Sequence, residues 1–141
     1  MEVNMAKTYH LFISHSWAYP HAYEGLLNLL DRDASFDYTN YSVPKDDPIH
    51  TNGTDAELYA AIKEQISHSS AVLILAGIYA SYSRWIQKEI QIAQTEFYVP
   101  KPIIAVECWG AEMTSAVVKR AADRIVKWNS KSIIDAIKEL G

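Results

Sequence analysis

The sequence predicts an α/β protein in which a five-stranded parallel sheet is sandwiched between helices. Short apolar runs alternate with helical patterns five times along the 141 residues, which is typical of strand–helix–strand units. The central run, between Ser70 and Gly77, is unbroken and apolar, as expected for a strand buried on both faces. No repeat, linker or low-complexity segment interrupts the pattern. We therefore expect a flexible N-terminus over residues 1–8 and a single domain over residues 9–141.

Each element has its own signal. Besides the central run, strands are predicted at residues 9–14, 37–43, 102–107 and 124–128, all rich in β-formers. The predicted helices start at Pro20, at a Thr54–Glu57 capping box, at Ser83 (ending near Phe97), at residue 114 and at Ser130. Their apolar stripes have helical spacing, for example Leu58, Ile62 and Ile66.

The composition excludes several classes of protein. The formal charge of −4 argues against a nucleic-acid partner, which normally needs a basic face. No apolar run is long enough to cross a membrane, and the start lacks the pattern of a signal peptide. The single cysteine, Cys108, fits a reducing compartment. We expect a cytoplasmic protein without a nucleic-acid or membrane partner.

Polar side chains and one aromatic side chain follow two of the predicted strands. Ser14, His15 and Ser16 end the first strand, and Trp85 and Glu89 lie four residues apart on one face of the helix after the central strand. Ligands of open α/β sheets bind outside the carboxyl ends of the strands. The long polar loop at residues 44–53 is a further candidate, although Asp46 and Asp47 also suit plain turn chemistry.

Several α/β functions lack their motifs. The sequence has neither of the glycine-rich phosphate-binding loops and no G-x-S-x-G nucleophile elbow. Its five histidines show no metal-binding spacing, so we expect no metal. The residues after the first and third strands are not the acidic residues that a phospho-acceptor receiver domain needs.

Two stretches resemble the TIR domain family. F-I-S-H-S at residues 12–16 resembles the F-I-S-Y-S opening of these domains, and S-R-W-I-Q-K-E-I at residues 83–90 resembles their S-x-W-C/V-x-x-E-[LI] helix. The closest resemblance is to small stand-alone bacterial TIR-like proteins, including the TIR component of Thoeris antiphage systems. It implies a flavodoxin-like three-layer sandwich and, in the NAD-cleaving members, a catalytic glutamate at the position of Glu89.

The resemblance also assigns roles to the other residues. Trp85 corresponds to the aromatic beside the nicotinamide end, and the 44–53 loop to the loop over the site. It implies substrate-binding roles for Ser14, His15, Ser16, Asp46, Ser83 and Trp85. NAD+ would be the substrate, with no cofactor, and a cyclic or conjugated ADP-ribose product would signal to a separately encoded effector.

Two other functions stay open at this point. A non-enzymatic TIR module would act by self-association through TIR–TIR contacts. An enzyme similar to nucleoside deoxyribosyltransferases would share the fold type and a glutamate near the sugar. Retention of Glu89 with Trp85 favours NAD+ cleavage, because a scaffold does not need that pair.

Overall fold

A computed structural model describes residues 7–14, 20–41, 55–75, 84–107 and 115–141. Within them, strands and helices alternate from one end to the other, as the sequence predicts. The strands are β1 (Thr8–Ile13), β2 (Asp37–Asn40), β3 (Ala71–Leu75), β4 (Ile103–Glu107) and β5 (Arg124–Lys127). The helices are α1 (Pro20–Asp31), α2 (Asp55–Ser67), α3 (Arg84–Thr95), α4 (Ala116–Ala121) and α5 (Ser130–Leu140).

The strands form one parallel sheet in the order β2-β1-β3-β4-β5. All five residues of β3 are buried, which agrees with the unbroken apolar run that marked it as the central strand. The chain builds the sheet outward from β1, first to β2 on one side and then to β3 on the other. The strand order therefore reverses between β1 and β3, and the crevice at such a reversal is where open α/β sheets bind ligands.

Helices cover both faces of the sheet. One core cluster joins alternate strand residues, such as Leu11 and Leu73, to apolar residues of α1 and α5. The other joins the intervening strand residues, such as Phe12 and Val72, to α2, α3 and α4. Because successive side chains of a strand point to opposite faces, these two clusters define two helical layers around the sheet. The flavodoxin-like three-layer sandwich is confirmed.

The second strand is shorter than its β-forming residues predict. We expected residues 37–43, but β2 ends at Asn40, and Tyr41 only donates its backbone N–H to the Leu11 carbonyl at 2.8 Å. As an edge strand, β2 has a sheet neighbour on one side only, and three of its four residues are exposed. Burial therefore stabilises β2 less than it stabilises the central strands. Residues 42–43 lie outside the described ranges.

The start of α5 differs from the prediction by one residue. The N-cap is Asn129, not Ser130, because the Asn129 side-chain oxygen accepts the Ser132 backbone N–H at 2.8 Å. The Ser130 hydroxyl instead donates to the Leu29 carbonyl at 2.7 Å and so links α5 to α1. Asparagine and serine are both good N-caps, so the sequence alone did not separate the two positions.

We expect Asn129→Ala to destabilise the protein by about 1 kcal/mol, because an N–H group of the first turn of α5 loses its acceptor. Urea unfolding at neutral pH measures this cost. Asn129→Asp should keep most of the stability, because aspartate also caps helices well. Equal losses for alanine and aspartate would contradict the capping role.

Candidate active site

The carboxyl end of β1 places Ser14 beside β3 and under α3. The Ser14 backbone N–H donates to the Leu73 carbonyl at 2.8 Å, which continues the pairing with β3 one residue beyond the strand. Phe12 and Ser14 are two residues apart and therefore point to the same face of the sheet. Since Phe12 packs in the cluster of α2, α3 and α4, the Ser14 side chain lies on the α3 side. It is 1% exposed.

Helix α3 places Glu89 within its buried face. Ile86, Ile90 and Ala93 all pack in the core, and Glu89 lies in the same stripe at helical spacing. The glutamate is only 6% exposed. Carboxylates are seldom so buried unless they are paired or functional. The charged side chain therefore occupies a position where the pattern of the helix calls for an apolar one.

Burial changes the acid–base behaviour of this carboxyl group. Loss of hydration disfavours the ionised form and raises the pKa of Glu89 to about 7, and the Ser14 hydroxyl partly opposes that rise. The two groups are close, yet Ser14 Oγ and Glu89 Oε2 are both buried without a hydrogen-bond partner. A buried polar atom without a partner is rare in folded proteins and calls for an explanation.

The family model described as "Thoeris protein ThsB, TIR-like domain" matches residues 12–113 of the 141-residue chain. The matched range contains the end of β1 and all of α3. The chain belongs to this family. Membership supports a role for this TIR-like domain in antiphage defence. No curated protein matches the sequence.

The structure brings together two of the residues that the sequence singled out, Ser14 and Glu89. Four others, His15, Ser16, Asp46 and Ser83, lie outside the described ranges, as do Asp47 and the 44–53 loop. The backbone of Trp85 belongs to α3, but its side chain is not among those described. The roles of these residues therefore stay predictions.

The burial of Glu89 has a signal in the sequence beyond the four-residue spacing between Trp85 and Glu89. The isoleucines at positions 86, 90 and 92 already mark the core-facing side of the helix, and Glu89 falls inside that side. A carboxylate within an apolar stripe predicts a buried, pKa-shifted group.

Other features of the TIR-like domain concern metals and membranes. Within the described residues, no group of three or more His, Cys, Asp or Glu side chains is arranged to hold a metal ion. Among the same residues, no helix is both long enough and apolar enough to span a bilayer.

We expect the raised pKa of Glu89 to make stability depend on pH. Between the ordinary value of 4.5 and about 7, the folded state holds a proton that the unfolded state has released, so stability falls as the pH rises through this window. Glu89→Gln does not titrate. The wild type should therefore lose about 2–3 kcal/mol relative to Glu89→Gln between pH 5 and pH 8.

Urea unfolding of both proteins at a series of pH values tests this expectation. Glu139→Gln, which replaces an exposed carboxyl on α5 whose partner Arg124 stays charged throughout this range, is the matched control and should follow the wild type. Parallel stability curves for the wild type and Glu89→Gln would contradict a shifted, buried carboxyl.

Proposed function

We propose that this TIR-like domain cleaves the nicotinamide–ribose bond of NAD+, and that Glu89 acts on the ribose. The observation that carries the proposal is the buried carboxyl of Glu89, which lies beside the end of β1 with one oxygen unpartnered. An unpaired carboxylate in a poorly hydrated place interacts strongly with positive charge that develops nearby. It is also a strong acceptor for sugar hydroxyl groups.

One carboxyl group is sufficient for this reaction. Most glycosidases need two, because the leaving oxygen must be protonated by a general acid. In NAD+ the leaving group is a pyridinium, and it takes the electron pair of the broken carbon–nitrogen bond to depart as neutral nicotinamide. The positive charge moves to the ribose as an oxocarbenium ion. The ionised Glu89 stabilises that charge, and a nucleophile then captures the sugar carbon.

The remaining parts of the proposal rest on the family resemblance. His15, Ser16, Asp46 and Ser83 contribute to the dinucleotide site, with Trp85 beside the nicotinamide end. NAD+ is the substrate and no cofactor takes part. The product is a cyclic or conjugated form of ADP-ribose that reaches a separately encoded effector in the cytoplasm, and TIR–TIR contacts support self-association.

We expect Glu89→Gln to reduce nicotinamide release from NAD+ by a factor of about 10²–10³ or more, because the amide cannot supply the negative charge. Chromatography of the products of purified protein measures the rate, both with NAD+ alone and after addition of lysate from phage-infected cells. Glu64→Gln is the control, since it removes an exposed carboxyl from the neighbouring helix.

Three outcomes separate the candidate functions. Release that persists in Glu89→Gln would reject Glu89 as the catalytic residue. Base release from deoxynucleosides but not from NAD+ would indicate a deoxyribosyltransferase-like enzyme. An absence of release under both conditions, together with concentration-dependent assembly, would indicate a scaffold.

We also expect kcat/KM for NAD+ to rise with pH. The ionised form of Glu89 is the active one, and its pKa of about 7 leaves it about one-tenth ionised at pH 6 and about nine-tenths ionised at pH 8. The increase over this range should therefore be roughly tenfold. Initial rates at low substrate concentration, corrected for spontaneous hydrolysis, measure it. A flat or falling profile would contradict the ionised carboxylate as the active form.

A further inference from the structure

The unpartnered atoms of Ser14 and Glu89 are unusual among the buried polar groups described. The hydroxyl of Ser69 donates to the Ile66 carbonyl at 2.7 Å, and the hydroxyl of Ser115 accepts the Val118 N–H at 3.4 Å. Among the buried side-chain nitrogen and oxygen atoms of the described residues, only Ser14 Oγ and Glu89 Oε2 lack a hydrogen-bond partner. Ser14 directly follows β1 and Glu89 lies on α3, and both side chains are on the same face of the sheet.

The other titratable side chains described on the surrounding elements are directed elsewhere. Strand β3 has none, since its sequence is A-V-L-I-L. On β1, Tyr9 stacks on Phe36 and His10 contacts Tyr41. On α2, Lys63 and Tyr59 both bind Glu96, Glu64 pairs with His68, and Glu57 is exposed. On α3, Lys88 lies over the Tyr59 ring. The Ser14 hydroxyl is thus the described polar group that acts on the Glu89 carboxyl.

We propose that Ser14 is a positioning residue for Glu89: its hydroxyl, at the end of β1, turns onto the buried carboxyl group, favours its ionised form and orients it for bond cleavage. This role rests on the proposed function, because it acts through Glu89 and not through the substrate. It differs from the substrate contact that the family resemblance implies for Ser14.

The physical reason is that a hydroxyl group, which can donate a hydrogen bond, and a carboxyl oxygen, which can accept one, are both buried without a partner. A serine hydroxyl reorients by rotation about one side-chain bond, so the Ser14 hydroxyl can turn toward the carboxyl group and give both unpartnered atoms a hydrogen bond. That hydrogen bond is stronger to the ionised carboxylate than to the neutral acid, because charge-assisted bonds are about twice as strong as neutral ones. It therefore favours the form of Glu89 that the reaction needs and fixes the direction of the carboxylate.

The decisive experiment is an NMR titration of the Glu89 side-chain carboxyl carbon in ¹³C-labelled protein without substrate. The resonance is identified by its disappearance in Glu89→Gln. In the wild type the midpoint should lie at about 7. Ser14→Ala should raise it by roughly one pH unit, the size expected for loss of a hydrogen bond to a charged group. Ser14→Thr, which keeps the hydroxyl, should restore most of the wild-type midpoint.

Ser69→Ala is the matched control, because it removes another buried hydroxyl without touching Glu89. Its midpoint should equal that of the wild type, which separates the specific role of Ser14 from a general loosening of the core. A midpoint that is unchanged in Ser14→Ala would overturn the pairing, whether or not the protein cleaves NAD+. Circular dichroism establishes that each variant is folded.

Kinetics then separates positioning from substrate contact. With positioning, Ser14→Ala should lower kcat roughly fivefold at pH 7, recover most of it near pH 9, and leave KM little changed. A raised KM with an unmoved pH profile would show that Ser14 binds substrate and would overturn the proposal. If Glu89→Gln kept full activity while the Ser14→Ala midpoint still moved, the proposed function would fail, and so would the role in cleavage, but the pairing would stand.

Discussion

The burial of one carboxyl group is the constraint on which the site depends. Glu89 occupies a core position on α3, where the helix packs against the sheet, and desolvation raises its pKa to about 7. Such a group disfavours the folded state once it is ionised, and an apolar residue would satisfy the packing better. Retaining it is the pattern expected where a charge serves function at some cost in stability.

The order of the strands decides which groups can reach this carboxyl. Because β1 and β3 are neighbours, the chain leaving β1 and the helix that follows β3 meet at the same edge of the sheet. Ser14 and Glu89 are far apart in the sequence but come together at this reversal of strand order. The remaining strands and helices keep β1, β3 and α3 in fixed relation through two apolar clusters, one on each face.

Two differences between prediction and structure concern the start of α5 and the end of β2. Asn129 and Ser130 are both good N-cap residues. In the folded chain Asn129 caps α5, and the Ser130 hydroxyl instead donates to the Leu29 carbonyl of α1. Strand β2 ends at Asn40, and its edge position leaves three of its four residues exposed. In the first case a contact with α1 outweighed a local preference, and in the second case the lack of burial at the sheet edge did.

The sequence by itself determined the alternation of strands and helices, the central strand and the identity of the two family motifs, because these depend on local periodicity and residue type. It also placed Glu89 on a helix after that strand. Tertiary structure decided that Glu89 is buried, that Ser14 is the group beside it, and that both keep an unpartnered atom. Desolvation and hydrogen bonding depend on neighbours distant in the chain, which no local pattern specifies.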